Sequence, residues 1–216
     1  YFIEENNEII EKKNNISFFT IFSFFKQKNI SIWIFILMFY FSFISAVWVF
    51  MKPYFISKGI NANDVTIYVG IYGSILGFLG GILASFIAKK FNKKTILVLF
   101  SIFNIITILI LLFIENFSIS IFSMLICVSF TAIAIALSSA IIFSMIMDYS
   151  RSSSKGVDYA LQSSLFALTR IVSAIIAGII VSNFGFEKMF IFELICIVVV
   201  TFVIYKKYNT NYQNNS

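Results

Sequence analysis

The sequence predicts an all-α polytopic membrane protein, a bundle of six transmembrane helices, and three observations carry that reading. Hydrophobic residues make up 60% of the chain and charged ones 12%, about half the charged share of an ordinary soluble domain. The charges are segregated, so that six long runs carry almost none. The basic residues gather in alternate connections, as they do in loops held on one side of a bilayer.

The runs cover about residues 29–51, 65–88, 95–114, 119–147, 159–182 and 189–205, and a helix needs about 20 residues to cross the hydrocarbon. The fourth run exceeds that and must tilt or project, whereas the sixth is close to minimal. A β-barrel is excluded, because the runs lack period-two alternation and outlast barrel strands. With no water in the hydrocarbon to satisfy an open backbone, all six are helices.

Taken in order, residues 1–28 read as a cytoplasmic linker ending in an interfacial amphipathic segment. Its later part, SFFTIFSFFKQKN over residues 17–29, either lies along the membrane surface or extends the first span. Pro53 follows Lys52 and is expected to stop that span, because the residue before a proline is pushed out of the α region. The next connection turns at Gly59 and offers Asn63 or Asp64 as a cap for the second span. The connections at Glu115-Asn116 and over residues 185–188 are very short, which predicts successive spans as antiparallel neighbours. Residues 206–216 form a polar tail.

Orientation follows from lysine and arginine placement. Lys12, Lys13, Lys26 and Lys28 precede the first span, and Lys89, Lys90, Lys93 and Lys94 follow the second. Arg151 and Lys155 follow the fourth, and Lys206 and Lys207 the sixth. The opposite side holds only Lys52, Lys58 and Lys188. Both termini are therefore expected in the cytoplasm, with the lipid bilayer as partner. The net charge of +6 is a topology signal and not a nucleic-acid patch. A first residue other than Met reads as the continuation of a longer chain.

The sequence contains no histidine, which removes imidazole metal sites and histidine-based nucleophile arrangements. No paired carboxylates or cysteine cluster stand in for them, so neither an enzyme, a cofactor nor a metal is expected. Cys127 and Cys196 fall within spans as small apolar residues, and no disulfide is expected.

The second span holds the stretch GIYGSILGFLGG, with Gly70, Gly73, Gly77, Gly80 and Gly81 on about a third of the helix circumference. Each would cost up to about 1 kcal/mol of helix propensity in water. In lipid the helix cannot unravel, and glycine allows two backbones to touch and gain dispersion contacts. The fifth span repeats this more weakly with Ala160, Ser164, Ala167, Ala174 and Gly178. A different face of it carries Tyr159, Gln162, Ser163, Phe166, Arg170 and Ser173. Small faces are ordinary in membrane bundles and alone imply no substrate.

Arg170 lies roughly 17 Å into the fifth span at 1.5 Å per residue. An arginine there costs at least about 2.5–3.5 kcal/mol on the insertion scale, so it must face a cavity or a partner. Either it pairs with Glu193, the one acidic residue inside another span, or it binds the anionic group of a small-molecule solute. Glu193 either snorkels to the outer interface or takes part in proton coupling.

Six spans, both ends inside and the basic loop AKKFNKK over residues 88–94 resemble the C-terminal half of a major facilitator superfamily transporter. Lys90, Lys93 and Lys94 match the superfamily's basic loop motif, while Ser85, Lys89 and Asn92 replace its usual glycine, aspartate and glycine. The stretch MKPYFISKGINANDV with the glycine-rich helix, and the run Asp158, Tyr159 and Gln162, are similar to single-component siderophore permeases and the related muropeptide permeases. The resemblance implies half of a twelve-helix fold whose missing N-terminal six helices are the main partner. It further implies alternating access driven by a proton gradient across a bacterial inner membrane. On that resemblance Arg170 serves solute charge or coupling, and Gln162, Ser163 and Tyr159 supply hydrogen bonds to the solute. Asp158 caps the fifth span or pairs with Arg151 at the inner gate, and Lys52 attracts an anionic solute at the outer mouth. Siderophore uptake is the solute reading, with muropeptide or other solutes as the alternative. A reading of another class is a six-span assembly subunit without transport activity.

Overall fold

The computed structural model describes residues 22–27, 30–117 and 119–208. Of the expected linker and interfacial segment over residues 1–28, residues 1–21 and 28 lie outside the described residues, as does the tail beyond residue 208. Every regular element among those described is helical, and the helices follow the apolar runs.

Two helices, α1 (Ile30–Phe39) and α2 (Ser42–Ser57), make up the first span. The joint between them stays hydrogen-bonded, with Tyr40 N–H donating to Ile36 O at 2.9 Å and Ser45 N–H to Phe41 O at 3.0 Å. Pro53 lies inside α2 and does not end it, which corrects the expectation. Its missing N–H costs one helical bond, but an unravelled backbone in the bilayer would cost more. The helix ends instead before Gly59, whose φ of 87° is one that glycine adopts freely.

The second span, α3 (Ala62–Ala88), is capped by Asn61, whose Oδ1 accepts from Asn63 N–H at 2.9 Å. The cap is thus Asn61 and neither Asn63 nor Asp64. Between Thr66 and Tyr72 the helix is wound as a π-helix, a form that occurs mostly in short segments and often at functional sites. Helix α4 (Lys93–Glu115) starts on Asn92, whose side chain accepts from Thr95 N–H. Helix α5 (Ile121–Asp148) starts on a Ser120–Ser123 capping box.

The fifth and sixth spans form one helical run, α6 (Lys155–Lys207), interrupted at Gly185 with φ 84° and ψ 174°. The expected loop over residues 185–188 shrinks to that single residue, because glycine alone reaches this backbone region without strain. The chain doubles back there. Phe186 meets Tyr54 at one end of the bundle, with ring centroids 5.4 Å apart. At the other end Tyr208 returns to Tyr149, which stacks on Trp33.

Sequence neighbours are not always packing neighbours. The second span lies mainly along the fourth and touches the first and third only sparingly; the first lies along the fifth, and the third against the fourth and α6. This corrects the expectation that short loops make every successive pair of spans neighbours. The small face of α3 explains the choice. A Cβ on Gly80 would sit 2.9 Å from the Ala136 Cβ, and one on Gly73 only 2.7 Å from Trp48 Cη2, so bulkier residues would push the spans apart. The first and fourth spans are the interior ones, 56% of each apolar window being buried against 17% for the second.

Polar cross-links sit inside this apolar packing. Asn104 Nδ2 donates to Ser138 Oγ at 2.9 Å, and Tyr40 Oη to Leu97 O at 3.0 Å. At the end away from Arg151, Glu115 accepts from Tyr54 Oη at 2.5 Å and pairs with Lys58 at 2.6 Å. Each satisfies groups that lipid could not.

Candidate functional site

Arg170 and the first span meet near the middle of the bundle. Helix α6 presents Arg170 to α2, where its Nε donates to Ser45 Oγ at 3.1 Å. The guanidinium carbon lies 5.3 Å from the Phe41 ring centroid and 5.7 Å from that of Phe166, a distance at which the ring faces attract a cation. Phe166 in turn contacts Phe41 at 5.1 Å and Phe143 of α5 at 5.4 Å. One turn further on, Ser173 Oγ donates to Ser42 O at 3.1 Å.

The arginine side of this cradle is open. Arg170 is exposed, and among the described residues no carboxylate lies within ion-pair distance of it. Glu193 does not pair with it, which removes the reading of a buried Arg170–Glu193 lock. Nor does Glu193 snorkel: it is fully buried, and neither carboxylate oxygen has a hydrogen-bond partner among the described residues. The arginine therefore has an aromatic seat and one neutral hydroxyl, with its terminal N–H groups left for an acceptor from outside the bundle.

The other residues of that helix face separate into two groups. Tyr159 is 41% exposed and Ser163 half-buried, its hydroxyl without a partner among the described residues. Gln162 is fully buried and committed to the protein. Its Oε1 accepts from Trp33 Nε1 at 2.6 Å, while its Nε2 donates to Ile146 O at 3.2 Å, Ser150 Oγ at 3.1 Å and Asp158 O at 3.1 Å. That amide ties α1, α5 and α6 together and leaves nothing for a solute.

A charged clasp closes the same end. Asp158 accepts from Arg151 N–H at 2.9 Å, Nε at 2.7 Å and Nη2 at 2.7 Å, and Arg151 Nη1 donates to Ser23 Oγ at 2.6 Å. Asp158 lies ahead of the membrane-spanning stretch, in the first turn of α6. Burial opposes its charge, but the Arg151 hydrogen bonds and charge outweigh it and hold the carboxyl below its usual range. Lys93 and Asp148 form a second ion pair between α4 and α5.

The five glycines also divide. Gly73 and Gly80 are packed, whereas a Cβ on Gly77 or Gly81 would meet nothing within 4 Å. Gly70, in the π-helical segment, lies beneath Lys52, whose Nζ would be 4.0 Å from a Cβ there.

Sequence reasoning missed Ser45, Phe41 and Trp33. Ser42 and Ser45 were available as a signal, since they are the polar residues inside an otherwise apolar stretch of the first span. Phe41 and Trp33 carried none, among 28 phenylalanines and an aromatic share of 19%.

A family model described as MFS/sugar transport protein matches residues 3–202. A protein of Rickettsia bellii (strain RML369-C) that carries the name transporter AmpG 1 is 24% identical over 214 residues, covering 94% of this chain and 51% of the relative. Its namesake in Rickettsia felis (strain ATCC VR-1525 / URRWXCal2) is 22% identical over 165 residues, covering 76% of this chain and 37% of the relative. The chain thus spans about half the length of the first and just over a third of the second.

Proposed function

The chain belongs to the MFS/sugar transport protein family, and from that premise we propose that it supplies six helices of an alternating-access transporter for a small polar or anionic solute. The missing partner is a second six-helix half, and transport is rigid-body movement of one half against the other around a site near the midplane. Both termini face the cytoplasm of a bacterial inner membrane in this reading. Of the two solute classes that the resemblance suggests, we place muropeptides ahead of siderophores, because neither relative bears the name of a siderophore permease.

The observation that carries the proposal is Arg170. An exposed guanidinium in mid-span, bonded to one hydroxyl and paired with no described carboxylate, is costly unless a cavity or an anion receives it. Ser163 and Tyr159 extend a polar track along the same helix, Phe166 and Ser173 hold the arginine's seat, and Gln162, Asp158 and Arg151 brace the end of the helix. The open glycines of α3 form a face on which the second half can slide.

The test is uptake by the full-length protein in a deletion strain, offered muropeptides and iron-loaded siderophores. Arg170→Ala is expected to abolish uptake of the true solute while leaving membrane insertion intact. Normal uptake by that variant would remove the arginine from the site.

A further inference from the structure

Lys52 is a second exposed cation, carried by α2, the helix that also holds Arg170 through Ser45. Ser45, which holds Arg170, and Lys52 are seven residues apart, nearly two full turns, so they project from one side of the helix. Their separation along the axis is roughly 10 Å at 1.5 Å per residue. Lys52 is exposed, its ammonium overhangs Gly70, and no described carboxylate lies within ion-pair distance of it. Of the acids at that end, Glu115 pairs with Lys58 and Glu187 with Lys188, Glu193 is buried, and Asp64 is not within ion-pair distance of Lys52. Between the two cations the wall is apolar, formed by half-buried Trp48 and by Val49, which is 51% exposed.

We infer that Arg170 and Lys52 form a two-point site for a solute carrying two anionic groups roughly 10 Å apart on an apolar body. The inference rests on the proposed anion-binding role of Arg170 and adds a second contact and a fixed spacing. Two unneutralised cations facing one open wall repel each other weakly when empty, and a dianion of matching length relieves both at once. A monoanion engages only the aromatic-seated guanidinium.

The test uses full-length transporter in lipid nanodiscs and calorimetric titration with succinate, suberate, sebacate and octanoate. Suberate and sebacate, whose carboxylates bracket the required span, are expected to bind roughly tenfold tighter than octanoate, as one added charge-assisted contact implies. Succinate, too short to reach both cations, gains no such advantage. Lys52→Gln should collapse the dicarboxylates onto octanoate, and Lys52→Arg should restore the preference. Equal, Arg170-dependent binding of octanoate and the dicarboxylates would overturn the two-point site and leave the arginine reading standing. Binding of these anions that is indifferent to Arg170→Gln, or none at all, would bring down both.

Discussion

At the scale of single residues, the polar groups of the fifth span have two different jobs despite similar positions on one helix. Arg170 is aimed at open space, and Gln162 is spent. Replacing Gln162 by Leu leaves the Trp33 indole N–H without its acceptor, and an unsatisfied buried donor costs about 1–3 kcal/mol. A lowered melting temperature for Gln162→Leu would show it. The clasp at Asp158 has a definite pH signature. Its folded-state value is depressed, so its stabilisation is fully present above the unfolded value of about 3.9 and lost as pH falls through the folded one. The melting-temperature gap between the natural protein and Asp158→Asn should therefore stay constant from neutral pH to about pH 5 and close in stronger acid. The sequence made Arg170 legible because a charge in mid-span is rare. It hid the commitment of Gln162, since that depends on Trp33, 129 positions away.

At the scale of elements, the helices were legible from the apolar runs, and the ends at Pro53 and Gly185 were not. Pro53 looks like a terminator only when water is assumed as the competitor for backbone hydrogen bonds. Gly185 looks like one residue of a loop until its backbone angles are known. Placing Ala at that turn forces a side chain into a region reserved for glycine, at about 1–3 kcal/mol, so Gly185→Ala should lower the melting temperature. The glycine face was legible as a face, but which glycines touch a neighbour was not, because that is decided by the fourth span. A Cβ at Gly80 runs into Ala136 and the Ile133 backbone, and overpacking of this kind costs about 1–3 kcal/mol. Gly77 meets no such obstacle. Gly80→Ala should therefore destabilise this chain in detergent, with Gly77→Ala holding or slightly raising its melting temperature.

At the scale of the whole molecule, the apolar runs and the segregation of charge could be read from composition, whereas the arrangement of the helices could not. Short connections bring helix ends together, but they do not oblige the helices to share a face. The second span matches its small residues to Ala136 and Val128 on the fourth, and the first gives Ser42 and Ser45 to the fifth. Such long-range matches leave only a weak trace in local periodicity. The bundle that results is uneven: its interior spans are well covered, and the second is largely bare. In the proposed function, open Gly77 and Gly81 are the surface on which the second half bears. Gly77→Leu in the full-length protein is expected to reduce uptake at unchanged membrane levels.

The interleaved order has a consequence for how the protein is made. A ribosome delivers the helices one after another, and the second leaves the translocon before the fourth has been synthesised. For that interval most of its shaved side has no mate: Trp48 of the preceding span covers Gly73, but Gly80 waits for Ala136 on the fourth. A nascent chain arrested after Glu115 should therefore remain a loose set of rods open to proteases and insertion chaperones, with α3 settling only once residues up to Asp148 have emerged.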